Sequence, residues 1–292
     1  MTELRRYLPV IVIGAGRSGT NMLRNALAQL PGAGTWPCDE INYIWRHGNA
    51  THPDDEFDAS MARPPVRRFV RRAFDRLARR RSLTHVIEKT CANSLRVGFV
   101  HQILPEARFV FLIRDGRDVT ASAMERWRAP LDLPYLVRKA RFVPLDDVPY
   151  YALRYLRNRF DRLLSKERRL STWGPRFKGM DKAARGNDLP TLCARQWSLS
   201  VEKAEEELAQ LPAEQVFHVR YEDFVRHPVS ILGDVADFIE IEANYSDLTR
   251  AARQVTSTSV GKWRRRLTRE QKEAIEPIVH SALIRHGYSV GT

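Results

Sequence analysis

Residues 10–23 read VIVIGAGRSGTNML. Four apolar residues run into a glycine-rich turn, and an apolar-periodic stretch follows. That order predicts a buried strand over residues 9–14, a tight loop, and a helix over residues 19–30 closed by Pro31 and Gly32. Main-chain N–H groups at such a helix start bind a phosphate or a similar anion. Two nucleotide-binding patterns overlap here. Gly14, Gly16 and Gly19 fit G-x-G-x-x-G, and Gly14 and Gly19 also fit the ends of G-x-x-x-x-G-K-[ST].

Neither pattern is complete. A dinucleotide fold needs a second strand ending in an acidic residue about twenty positions on. Asp39 and Glu40 stand at that distance, but they follow GAGTWPC, which is not an apolar strand. A kinase or other ATP-using phosphate loop carries Lys after its second glycine, where this chain has Thr20. No strand ends in an evident Mg²⁺-binding Asp, since Asp115 follows Arg114. The cation sits inside the loop, at Arg17, and Ser18, Thr20 and Asn21 add side-chain donors. That arrangement suits an anion held without a metal.

A second stretch, FVFLIRDGRDVTASAMERW, places Arg114 at the C-terminal end of a strand over residues 108–113. Ligands of open α/β sheets bind at that edge. Ser122 follows within the next helix, and Arg126 lies one turn further. The three side chains are candidates to hold a second phosphate. Arg117 and Asp118 are expected to make ion pairs with their neighbours.

Further strands are expected over residues 84–88 and 215–220. Helices are expected over residues 65–81, 95–104, 116–127, 189–210, 228–239 and 268–286, the last capped by Gly287. Residues 31–64 and 254–263 read as loop. The alternation gives an α/β fold with a mainly parallel central sheet and helices on both faces. Residues 1–292 read as one domain. Prolines, arginines and aromatics punctuate residues 128–190, which read as a helical insertion over the acceptor. Its Tyr135, Phe142, Tyr150, Tyr151 and Trp173 are candidates to stack on a ring.

Together the two motifs resemble the signatures of sulfotransferases that use 3′-phosphoadenosine-5′-phosphosulfate (PAPS). The resemblance runs over residues 9–127 and again over residues 189–288. It implies a P-loop-like fold with no metal. It implies that Gly16, Arg17, Ser18, Gly19, Thr20 and Asn21 hold the 5′-phosphosulfate. Arg114 and Ser122, with Arg126 nearby, would hold the 3′-phosphate. VRYEDFVRHP resembles the turn where a Tyr nears the nucleotide, here Tyr221. STSVGKWRRRL resembles the loop that closes over the cofactor, with Gly261 and Lys262 as contacts. The chain also departs from the cytosolic members. Arg17 stands where they have Lys, and Thr256-Ser257-Thr258 stands where they have R-K-G. Cys91 falls where they have a catalytic His. The chain therefore looks closer to the carbohydrate and tyrosylprotein sulfotransferases, which use a Glu base.

Sulfuryl transfer needs a base for the acceptor hydroxyl and a cation for the leaving oxygen. Glu40, in CDEINYIW, and Glu88, in IEKTCANS, are both candidate bases, with Lys89 orienting the base. Arg17, helped by Lys262 or Lys89, is the candidate for the leaving group. His47, His85, His101 and His218 show no partner in the sequence, and His218 is expected in the core.

Lys and Arg number 48 against 35 Asp and Glu, a formal net charge of +13. Such a balance points to anionic partners. No helix-turn-helix, RNA-binding sheet or zinc finger pattern accompanies it, so nucleic acid is not expected. The expected acceptor is a carbohydrate or glycolipid hydroxyl, with an anionic glycan suited to the charge. A small-molecule natural product, a kinase-like phosphotransferase and a non-enzymatic polyanion-binding module are the alternatives. No apolar run is long enough to span a bilayer. The three dispersed cysteines fit a reducing compartment, so the cytoplasm is expected, with peripheral membrane contact left open.

Overall fold

The computed structural model describes residues 7–128 and 173–290, with Pro144, Asp147, Val148 and Leu153 between them. Five strands form one sheet: β1 (Leu8–Ile13), β2 (Ala33–Gly34), β3 (His85–Glu88), β4 (Arg108–Ile113) and β5 (Val216–Arg220). Their order is β2-β3-β1-β4-β5, and every pair is parallel. Val10 stands opposite Ile87 on one side, and Val12 opposite Val110 on the other.

Apolar runs make β1 and β4 suited to the middle of such a sheet, where both faces are covered. Side chains alternate between two cores. Ile11, Ile13, Phe109, Phe111 and Ile113 join one, and Val10, Val12, Val110 and Leu112 join the other. Helix α1 (Thr20–Leu27) covers the second face with Leu23, Ala26 and Leu27. The first face is covered by α2 (Asn42–Trp45), α3 (Pro64–Arg81), α4 (Val97–Ile103), α5 (Gly116–Arg128) and the long helix Leu189–Leu208. The chain leaves β1 toward β2 on one face and returns to β3, β4 and β5 on the other. Right-handed crossovers produce that arrangement. The loops after β1, β3 and β4 therefore meet at one sheet edge, where the chain reverses direction across the sheet.

Several expectations need correction. Residues 31–64 contain β2 and α2, both too short to show a period. Residues 254–263 read as loop, yet a helical turn, Trp263–Arg266, begins at their end. The helix Tyr245–Ala252 went unrecognised, although Asn244 and Asp247 form its capping box. His218 is exposed rather than core, because β5 is the sheet edge and buries only Val219. The other histidines have partners. His85 Nε2 lies 2.9 Å from the Ile239 carbonyl, His101 Nε2 lies 3.2 Å from Gln215 Oε1, and His47 Nδ1 lies 2.9 Å from Asp147. Tyr135, Phe142, Tyr150 and Tyr151 lie outside the described residues. Gly287 takes φ +68° just past the helix Arg269–Arg285, as a C-terminal cap requires.

Candidate active site

The loop of residues 14–19 turns sharply between β1 and α1. Arg17 adopts φ +73° and Gly19 φ +91°. Left-handed residues in such a turn aim successive N–H groups into one concavity. Gly19 is required twice over, because a Cβ there would lie 2.5 Å from the Tyr221 ring. Gly16 faces Trp173, whose ring stands 3.4 Å from the place of a Cβ. Ser18 and Thr20 are buried, while Asn21 is exposed. The Ser18 Oγ has no hydrogen-bond partner among the described residues. A buried hydroxyl without a partner is costly, and an anion seated in the loop would satisfy it.

The second motif lies against this loop. Arg17 Nε donates to Ser122 Oγ at 3.0 Å. The buried Arg114 donates to the Arg17 carbonyl at 3.1 Å and to the Ser259 carbonyl at 2.5 Å. Its guanidinium lies 4.3 Å above the Tyr221 ring, and its Nε is a further buried donor without a partner among the described residues. Arg17 is exposed, yet partial desolvation lowers its pKa, and repulsion from Arg126 and then Arg114 lowers it further. Three guanidinium groups thus crowd one cleft, an arrangement that anionic charge relieves.

Asp118 closes the cleft's far side. Its Oδ2 accepts from Gly261 N at 2.7 Å and its Oδ1 from Trp263 N at 2.8 Å. Lys262 sits between these two held amides. Arg117 pairs with Asp115 at 2.8 Å and lies over the Trp263 ring.

Glu40 and Lys89 meet on the other side of the loop. Lys89 Nζ donates to Glu40 Oε1 at 2.9 Å, and Cys91 N donates to the same oxygen at 3.3 Å. The Glu40 side chain keeps 23% of its surface exposed, whereas Lys89 is buried. Burial works against the Lys89 charge, but Cys91 and Glu40 outweigh it and raise its pKa. Glu88 is only 1% exposed. Its oxygens accept from Thr90 Oγ1 at 2.6 Å and Asn93 Nδ2 at 3.1 Å. Burial nonetheless pushes its carboxyl up to about 7.

The model of the Sulfotransferase family matches residues 9–171 and 153–247. The chain belongs to the sulfotransferase family. Solved structures share its fold at low identity. The sulfotransferase domain from the curacin biosynthetic pathway superposes with a TM-score of 0.57 at 13% identity, covering 98% of this chain and 100% of that one. The sulfotransferase domain of the Synechococcus PCC 7002 olefin synthase gives 0.56 at 14%, covering 99% and 98%. Mouse sulfotransferase SULT7A1, complexed with PAP, gives 0.51 at 14%, covering 96% and 86%. No curated protein matches the sequence.

In this sulfotransferase, sequence reasoning missed Arg24 and Thr90. Arg24 lies buried on α1 and donates to the Cys38 and Asp39 carbonyls at 2.9 and 2.7 Å. Its signal is an arginine inside the apolar stripe of Leu23 and Leu27. Thr90 Oγ1 accepts from Ile41 N at 3.2 Å. Among the described residues, no cluster of His, Cys, Asp or Glu could hold a metal, and no helix is long and apolar enough to cross a membrane.

Proposed function

We propose that the protein transfers the sulfuryl group of PAPS to a carbohydrate hydroxyl, with Glu40 as the general base. One observation carries the choice of base. Glu40 is partly exposed at the cleft and held by Lys89 and Cys91 N, whereas Glu88 is sealed behind Thr90 and Asn93.

The donor's two anionic ends fit two orphaned buried donors, the Ser18 hydroxyl and Arg114 Nε. Residues 16–21, with the Ser18 hydroxyl, would take the 5′-phosphosulfate. Arg114, Ser122 and Arg126 would take the 3′-phosphate, with Tyr221, Gly261 and Lys262 lining the nucleotide. PAPS supplies an activated sulfuryl group. Glu40 would accept the acceptor hydroxyl's proton while Lys89 holds the carboxylate in place. Arg17, from inside the loop, would stabilise charge on the leaving oxygen. Lys89 is engaged with Glu40, so Lys262 supports Arg17 better than Lys89 does.

An anionic glycan acceptor suits the outer face of α3. Arg68, Arg72, Arg76 and Arg80 stand four residues apart on its exposed side. Asp75, the helix's one acid, is turned to the Tyr7 hydroxyl at 2.8 Å. Like charges at that spacing repel and destabilise a helix, and a polyanion alongside would offset this.

The test is Glu40→Gln assayed with a panel of acceptors, mass spectrometry reading the gain of one sulfuryl group. Turnover is expected to be lost while affinity for adenosine 3′,5′-bisphosphate (PAP) is kept. Undiminished turnover removes Glu40 as the base. Sulfation of small aglycones alone, with no glycan modified, removes the carbohydrate reading.

A further inference from the structure

The segment around Glu40 has no regular structure of its own between β2 and α2, yet the residues flanking Glu40 are fastened at three backbone positions, Cys38, Asp39 and Ile41, and at the Asn42 side chain. Ahead of Glu40, the Arg24 guanidinium holds the Cys38 and Asp39 carbonyls. Behind it, two chains of hydrogen bonds lead back to one carboxyl. Ile41 N donates to Thr90 Oγ1, and Thr90 Oγ1 donates to Glu88 Oε1. Asn93 Nδ2 donates to Glu88 Oε2, Arg96 Nε donates to Asn93 Oδ1 at 3.0 Å, and Arg96 NH2 donates to Asn42 Oδ1 at 2.5 Å. Glu88 thus reaches both residues that follow Glu40.

The direction of the first chain is fixed by chemistry. A threonine hydroxyl has one proton and two acceptor sites. Ile41 N–H can only donate, so Thr90 Oγ1 accepts from it and gives its own proton to the ionised Glu88 oxygen. The Glu88 oxygen is what keeps the Thr90 lone pair turned toward Ile41. Glu88, Thr90, Asn93 and Arg96 are all fully buried. Such a network is held firmly when every member is satisfied, and it loosens when one partner is lost.

We propose that Glu88 is a positioning residue, which acts through Thr90 to hold the Ile41 backbone and through Asn93 and Arg96 to hold the Asn42 side chain, and so aims the Glu40 carboxylate. The proposal rests on Glu40 as the base. It gives Glu88 work without contact to the acceptor, and it explains why two glutamates in this site differ so much in exposure.

The test compares Thr90→Val, Thr90→Ser and Glu88→Gln with Glu40→Gln in the full chain. Steady-state kinetics measure turnover, titration measures PAP affinity, and melting with PAP present verifies the fold. Thr90→Val keeps the side-chain volume and deletes both hydrogen bonds. A misplacement of about 1 Å costs roughly 10²-fold in rate, so Thr90→Val should lose about 10- to 100-fold in kcat. PAP affinity should stay unchanged. Thr90→Ser restores the hydroxyl and should recover most of the loss. Glu88→Gln, nearly isosteric, should lower kcat in the same direction and serves if Thr90→Val fails to fold. Wild-type kcat in both Thr90→Val and Glu88→Gln, beside an inactive Glu40→Gln, overturns the positioning role alone. PAP affinity falling in step with kcat overturns it too, as a merely structural role would give that. Full turnover in Glu40→Gln overturns the base assignment itself, whatever the Thr90 variants do.

Discussion

Arg17 Nε donates to Ser122 Oγ at 3.0 Å, although 105 residues separate them. The bond ties the loop after β1 to the middle of α5, so the two motifs line one cleft. It also sets the aim of the Arg17 guanidinium, which Arg126 and then Arg114 repel. Ser122→Ala removes the acceptor and leaves Arg17 to swing. A hydrogen bond to a charged group contributes about 1.5–3 kcal/mol, so PAP affinity should fall on the order of 10- to 100-fold in Ser122→Ala. Calorimetric titration measures it. Arg17→Lys retains charge but not the planar fork, and should lose part of the same affinity. An unchanged dissociation constant in Ser122→Ala would mean that neither Ser122 nor its contact with Arg17 bears on the nucleotide.

Arg114 anchors the cleft more deeply. It holds the Arg17 and Ser259 carbonyls, stacks on Tyr221, and still has its Nε unpartnered among the described residues. Arg114→Ala should therefore lower the melting temperature as well as ligand affinity. The informative quantity is a ratio. Truncating one side of a buried charge pair costs about 2–5 kcal/mol, so PAP should lose at least roughly 30-fold in affinity. Adenosine 5′-monophosphate, which lacks the 3′-phosphate, should lose far less. Equal losses for the two nucleotides would place the 3′-phosphate elsewhere.

Asp118 was expected in an ion pair, and Arg114 does stand 3.7 Å away. Its main work is different, because its two oxygens grip the Gly261 and Trp263 amides. Asp118→Ala deletes both bonds at once. Hydrogen exchange at those two amides should accelerate by at least about tenfold, as loss of charge-assisted bonds of 1.5–3 kcal/mol implies. The KM for the donor should rise because Lys262 is carried between them. Protected amides in the variant would show that Trp263 packing alone holds the loop.

Much of this site is legible in the sequence because its signals are local. A glycine loop between a strand and a helix, or an Arg at a strand end with a Ser in the next helix, is written in adjacent residues. The choice between Glu40 and Glu88 is not local. Both carboxyls reach the same sheet edge, and only the packing of Thr90 and Asn93 over Glu88 separates them. Arg24 and Thr90 escaped notice for a related reason: their partners are main-chain atoms of a segment without a period. His218 misled because it stands among the apolar Val216, Phe217 and Val219, while strand order alone makes β5 the edge.

Glu88 has a consequence for stability that can be read without any substrate. Burial raises its carboxyl from 4.5 to about 7, against the opposing pull of Thr90, Lys89 and the other donors, with the Glu40 charge adding to the rise. Within that window the folded chain binds a proton that the unfolded chain does not. Stability therefore falls as pH rises: the contribution is complete below about 4.5 and lost above about 7, and it amounts to on the order of 3 kcal/mol. Lys89, Cys91 and Glu40 face the same pocket and are common to both proteins compared. Glu88→Gln keeps the shape and cannot ionise. Its melting temperature relative to wild type should climb by several degrees between pH 5 and pH 8, measured by calorimetry with no nucleotide present. Melting curves that run parallel across that range would show that Glu88 does not take up a proton there on folding.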